Sequence, residues 1–67
     1  MPYFNYHATA KRLISEGKLL GYCFVEKHRS ISPALLLIFD DARHPLVPIR
    51  AHRWEEYMPL LPKDKRL

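Results

Sequence analysis

The residue types best suited to chemistry crowd into one stretch of this chain, Arg50-Ala51-His52-Arg53-Trp54-Glu55-Glu56-Tyr57. On a helix, His52 would stand one turn from Glu55 and Glu56, the spacing of a hydrogen bond, an acid-base pair or two metal ligands. A metal centre needs a third ligand, which Asp40, Asp41 or His44 would have to supply from elsewhere in the fold. The simpler reading, adopted here, makes Trp54 and Tyr57 the anchors of the helix and leaves His52 and the glutamates in water. The run Asp40-Asp41-Ala42-Arg43-His44 pairs carboxylates with a histidine, as a divalent-cation site would, but aspartates also stabilise turns by hydrogen-bonding nearby backbone, and a turn is expected. His7, beside Tyr6, has no recognisable serine or cysteine partner and reads as an exposed or capping residue. Cys23 lies in an apolar segment with no helix N-terminus or basic cluster to activate it, so a buried, inert thiol is expected. The expectation is therefore no catalytic residue, no metal and no cofactor.

Binding is the stronger alternative. Eleven Lys and Arg against seven Asp and Glu leave a net charge of +4, which suits a polyanion. Lys11, Arg12, Lys18, Lys27, Arg29, Arg43, Arg50 and Arg53 would form a basic face, with His28, His44 and His52 among them. Lys11, Arg12, Arg50 and Arg53 are the expected phosphate contacts, and Trp54 would stack on a base if its ring is exposed. No helix-turn-helix pair is visible, and the basic residues are spread over several elements. A protein partner competes directly, through apolar residues such as Val25, Leu36 and Ile38 on a second sheet face, or through an edge strand at Leu46 to Ile49.

These side chains need a scaffold, and hydrophobic periodicity outlines it. Tyr6, Ala10, Leu13 and Ile14 recur at helical spacing, predicting a helix from Asn5, a capping residue, to about Glu16, ended by Gly17. Leu19 to about Lys27 is rich in strand formers; simple alternation puts Leu20 with Tyr22 and Phe24, and Leu19 with Cys23 and Val25. The polar, Pro33-containing segment 28–33 predicts a reversal, and Ala34 to Phe39 a central strand buried on both faces. After the aspartate turn, Leu46 to Ile49 forms a third strand, which Pro48 confines to an edge. Ala51 to about Met58 is a short helix whose stripe is Trp54, Tyr57, Met58 and Leu61. Leu60, Leu61 and Pro62 pack back, and 63–67 is a solvated charged tail.

The resulting fold class is α+β: an N-terminal helix, a three-stranded antiparallel meander and a short C-terminal helix, in one domain over residues 1–62. With 67 residues there is room for one small core and no large catalytic architecture. The single cysteine suits a reducing cytoplasm. No secretory signal is evident at the N-terminus, and the longest apolar run is too short to span a bilayer, so a cytoplasmic protein without a membrane partner is expected. Helices on one side would leave the other sheet face apolar, to be covered by a homodimer or by the C-terminal segment.

Asn5-Tyr6-His7-Ala8-Thr9-Ala10, Ile31-Ser32-Pro33-Ala34-Leu35 and Pro48-Ile49-Arg50-Ala51-His52-Arg53-Trp54 resemble segments of small uncharacterised proteins associated with bacterial conjugative transposons. The resemblance extends over roughly residues 5–61. It implies an accessory, transposon-encoded protein that handles DNA or binds an element or host protein, and carries no catalytic or binding residue with it.

Overall fold

A computed structural model describes residues 6–67; the expected Asn5 cap lies outside them. Helix α1 spans Tyr6–Ser15 and buries Ala10 and Leu13, two of the apolar positions that recur at helical spacing. Gly17, at φ +77°, ends it. The Lys18 N–H bonds the Leu13 carbonyl at 3.0 Å and the Gly17 N–H bonds that of Ile14 at 3.1 Å, the paired bonds of a glycine-terminated helix.

Three strands follow, β1 (Leu19–Val25), β2 (Ala34–Phe39) and β3 (Leu46–Arg50), forming an antiparallel sheet in that order. The six-residue apolar run is the central strand, but it is not buried on both faces: Leu36 and Ile38, on the side away from the helices, are only half-buried. β1 stops at Val25 rather than Lys27, because the connection folds into its own tight turn. His28 and Ile31 exchange backbone bonds of 2.8 and 3.0 Å, and Arg29 at the tip takes φ 57°. That left-handed geometry costs an L-residue about 1 kcal/mol that glycine avoids.

The pairing of β1 with β2 is irregular between Leu19 and Gly21: Leu19 opposes Phe39 and Gly21 opposes Ile38. This bulge overturns the simple alternation expected at the start of the strand. Leu19 joins Tyr22 on the core side, and Leu20 is left 57% exposed. Past the bulge, the register places Tyr22, Leu37 and Val47 on the core face together with Phe24, Leu35 and Ile49. The opposite face carries Gly21, Ile38 and Leu46, then Cys23, Leu36 and Pro48, then Val25, Ala34 and Arg50.

After β3 the chain forms a 3-10 turn (Ala51–Arg53), helix α2 (Trp54–Tyr57) and a second 3-10 turn (Met58–Leu60). The expected continuous helix is thus subdivided, with Pro59 in its last turn. Tyr57 and Leu61 join the core with Ala10, Leu13 and the sheet, but Met58 and Leu60 are 44% and 41% exposed, so neither packs back as the sequence pattern suggests. The C-terminal segment also departs from a solvated tail. Residues Lys63–Lys65 form a 3-10 turn, Arg66 pairs with Tyr22 in parallel, and the Leu67 N–H bonds the Tyr22 carbonyl at 2.9 Å. Leu67 lies over Gly21, where a Cβ would come within 3.1 Å of its side chain.

Candidate functional sites

Two surfaces bring together the residues with functional potential. The first joins α1 to α2. His7 Nδ1 and the Tyr57 hydroxyl share a hydrogen bond of 2.7 Å, and the Tyr6 and His7 rings lie 4.5 Å apart. Lys11 Nζ donates to Glu56 Oε1 at 2.7 Å and sits 5.5 Å from the centre of the Tyr57 ring. Arg53 grips the same carboxylate, with Nη2 at 3.0 Å from Oε1 and Nε facing Oε2.

This network sets the protonation of its members. The hydrogen bond from Arg53, then that from Lys11, pulls Glu56 down to about 2, so the carboxylate is ionised throughout the physiological range. Burial pushes Tyr57 up to about 12, which keeps its hydroxyl neutral and available to His7. Burial first, then the charge of Arg53, lowers His7 below its usual range, with Glu56 opposing them. His7 is therefore a half-buried, bonded residue rather than an exposed or capping one. Glu56, which the spacing offers as a partner to His52, belongs instead to Lys11 and Arg53. At neutral pH a neutral imidazole, a neutral phenol and a paired carboxylate fasten α1 to α2.

The aspartate turn is also internally satisfied. Asp41 accepts from the His44 backbone at 2.9 Å and lies 3.1 Å from His44 Nδ1. Burial raises its pKa, but the bonds to the His44 side chain and backbone outweigh that and hold it below the ordinary carboxylate value. No group of three or more His, Cys, Asp or Glu placed to hold a metal ion occurs among the described residues.

Of the expected phosphate contacts, Lys11 and Arg53 are tied to Glu56, and Arg12 pairs with Glu16 at 3.3 Å. Arg50 is exposed at the end of β3 and has no ion pair among the described residues. Trp54 is half-buried: its indole N–H donates to the Ile49 carbonyl at 2.8 Å, and Phe24 meets its ring edge-on at 5.0 Å. The ring that base stacking would use is therefore only partly exposed. Sequence patterning did not foresee Arg66, whose guanidinium lies 5.3 Å from the centre of the Phe24 ring.

The basic charge is unevenly distributed. On and beside the two helices, Lys11, Arg12 and Arg53 are matched in number by Glu16, Glu55 and Glu56; in and beside the aspartate turn, Lys18 and Arg43 are matched by Asp40 and Asp41. Both sets balance. The excess lies in the hairpin end of the sheet, Lys27, Arg29 and Arg50 against Glu26, and in the C-terminal segment, Lys63, Lys65 and Arg66 against Asp64.

The second surface is the far face of the sheet. Cys23, Val25, Leu36, Ile38 and Pro48 are half-buried and Leu46 is 41% exposed. Cys23 is thus a member of this face rather than a buried core thiol. The buried residues of both helices join the core on the opposite side, and Leu67 reaches over one corner, at Gly21. The sheet edges are less accessible than the face. The C-terminal segment caps β1 through Tyr22, while Pro48 removes a backbone donor from β3.

No family model, curated protein or solved structure matches this chain. The geometry must speak for itself. Among the described residues no helix is long and apolar enough to cross a membrane.

Proposed function

We propose that this chain is a non-enzymatic binding module that engages another protein through the face of its sheet that, among the described residues, neither helix covers. One observation carries the reading: Cys23, Val25, Leu36, Ile38, Leu46 and Pro48 form a contiguous apolar surface on the side away from the core. Contiguous apolar surface of this kind marks an interaction site more often than a solvated one. Strand addition is the weaker mode, because one edge is capped and the other is interrupted by Pro48. An accessory role in a mobile element, which the sequence resemblance implies, and the cytoplasmic setting that the single cysteine suits are both compatible with such a module.

A photo-crosslinking amino acid placed at Leu36, and separately at Glu16 on the helical side, tests the reading in cells. Protein adducts at position 36 and none at 16 are expected. The same adducts at both positions, or none at 36, would overturn it.

Nucleic acid is a second reading, favoured by the concentration of excess charge at the hairpin end and the C-terminal segment. It rests on Arg50 more than on Lys11, Arg12 or Arg53, whose charges already have carboxylate partners. Anisotropy of labelled DNA and RNA at about 50 and 200 mM salt tests it: micromolar binding that falls steeply with salt and is lost on Arg50→Glu is the expected signature.

A further inference from the structure

The far sheet face also specifies the shape and charge of its occupant; this inference rests on the docking reading above and names its partner. Three strands spaced about 4.8 Å apart, each about five residues long, present a rectangle of roughly 14 by 17 Å. A second copy would need about 800 Å² on each side for a stable dimer, more than a rectangle of this size supplies. One α-helix, about 10 Å across and 16 Å long for three turns, matches the rectangle.

Charge then selects among helices. Arg50 shares the face with Leu46 and Pro48, at the end nearest the hairpin, and is exposed. Lys27 and Arg29 continue beyond that end, both exposed, with Glu26 the one carboxylate among them. At the other end Lys18 and Arg43 are balanced by Asp40 and Asp41. The face is thus basic at one end and neutral at the other. Arg29 adds an independent observation: it occupies a left-handed position at the hairpin tip, φ 57°, where glycine would be less strained, so a cation stands there at some cost to stability. We infer that the face receives a single amphipathic helix of another protein, about three turns long, whose apolar stripe packs on Leu36 and Ile38 and whose acidic residues cluster at the end beside Arg29 and Arg50.

The test is selection of a randomised library of helical peptides of about 15 residues against the whole chain, followed by anisotropy of the enriched peptides at two salt concentrations. The expected sequences carry an apolar i, i+3, i+4, i+7 stripe with Asp or Glu gathered toward one end, and bind more weakly as salt rises. Leu36→Lys and Ile38→Lys should each lose at least about tenfold in affinity. Arg29→Gly should weaken binding about two- to fivefold while raising the melting temperature by a few degrees, a combination that loss of folding cannot produce. Enriched peptides that lack acidic bias but still require Leu36 would keep the docking face and overturn the acidic helix. Peptides indifferent to both lysine substitutions would overturn the face itself, and failure to enrich any helix would overturn the proposed occupant. A wild-type dimer in sedimentation that Leu36→Lys converts to monomer would assign the face to a second copy, and duplex DNA binding abolished by the same variant would assign it to nucleic acid; either result overturns the proposal.

Discussion

His7 Nδ1 and the Tyr57 hydroxyl stand 2.7 Å apart across 50 positions of sequence, joining the first helix to the last at the boundary of the core. Tyr57 is fully buried, and its hydroxyl meets the imidazole where Arg53 and Lys11 keep further positive charge unwelcome. The bond closes the helical layer over the sheet, and burial together with the charge of Arg53 disfavours a proton on the imidazole.

That environment predicts a pH dependence. Unfolded, the imidazole takes up a proton near its ordinary value of 6.5; folded, it does so only at lower pH, chiefly because it is buried. In that interval the unfolded state binds more protons, so stability rises with pH. The contribution is complete above about 6.5 and is lost as pH falls from there toward the lowered folded value. Thermal melts at pH 7.5 and 5.5 should show a larger drop for the wild type than for His7→Gln. An equal drop in both would assign the titration to another group. Tyr57→Phe at pH 7.5 should cost about 1 kcal/mol, a melting-temperature decrease of about 4–8 °C in a domain of this size.

Local signals were legible in the sequence. The helix ending at Gly17, the six-residue central strand and the placement of Pro48 on an edge each follow from the properties of one residue or one short run. The failures are tertiary. Alternation placed Leu20 with Tyr22 because it passed over Gly21, a residue that within a strand often marks a bulge or a close approach, and here Leu67 packs over it. The spacing of His52 and Glu56 suggested a pair, but Lys11 from another helix and Arg53 one turn before Glu56 take the carboxylate first. The His7–Tyr57 bond has no sequence signature at all, since it depends on how two helices meet. Likewise, a charged C-terminal run reads as solvated until its backbone is seen bonded to Tyr22.

The two glycines should respond differently to a methyl group. Gly17 sits at φ +77° with open space where a Cβ would go, so Gly17→Ala is penalised by backbone geometry alone, by about 1–2 kcal/mol. At Gly21 the conformation is ordinary and the added Cβ meets the Leu67 side chain at 3.1–3.2 Å. That side chain is 74% exposed and can swing away, so Gly21→Ala should cost below about 0.5 kcal/mol while increasing proteolytic sensitivity after Pro62. Denaturant titration and limited proteolysis separate the outcomes; a Gly21 variant as unstable as the Gly17 one would mean that the C-terminal contact contributes substantially to the fold.

Adjacent leucines of β2 provide a test of which face is core. Leu37 is fully buried and Leu36, pointing the other way, is half-buried. Leu37→Ala should cost about 2–5 kcal/mol, enough to leave so small a domain largely unfolded at 37 °C. Leu36→Ala should cost about 1 kcal/mol or less, since its side chain is only partly buried, on the face away from the helices. Comparable losses would mean that something covers that face in solution, and sedimentation of the wild type at the same concentration would show whether the cover is a second copy.

Trp54 distinguishes the two binding readings spectroscopically, because it is the only tryptophan. Its N–H is engaged with the Ile49 carbonyl at 2.8 Å and its ring packs against Phe24 and the core, so its emission should lie to the blue of free indole and acrylamide should quench it only partly. Base stacking would require the ring to leave this contact, since the bond and the packing on Phe24 hold it in place. Saturating single-stranded DNA should therefore leave the emission unchanged even if basic residues at the hairpin end hold the strand. Strong quenching on DNA addition would show that the ring swings out to stack, and would place Trp54 within the nucleic-acid surface rather than beneath it. Trp54→Phe should destabilise the domain by about 1–3 kcal/mol, from the lost hydrogen bond and the smaller ring.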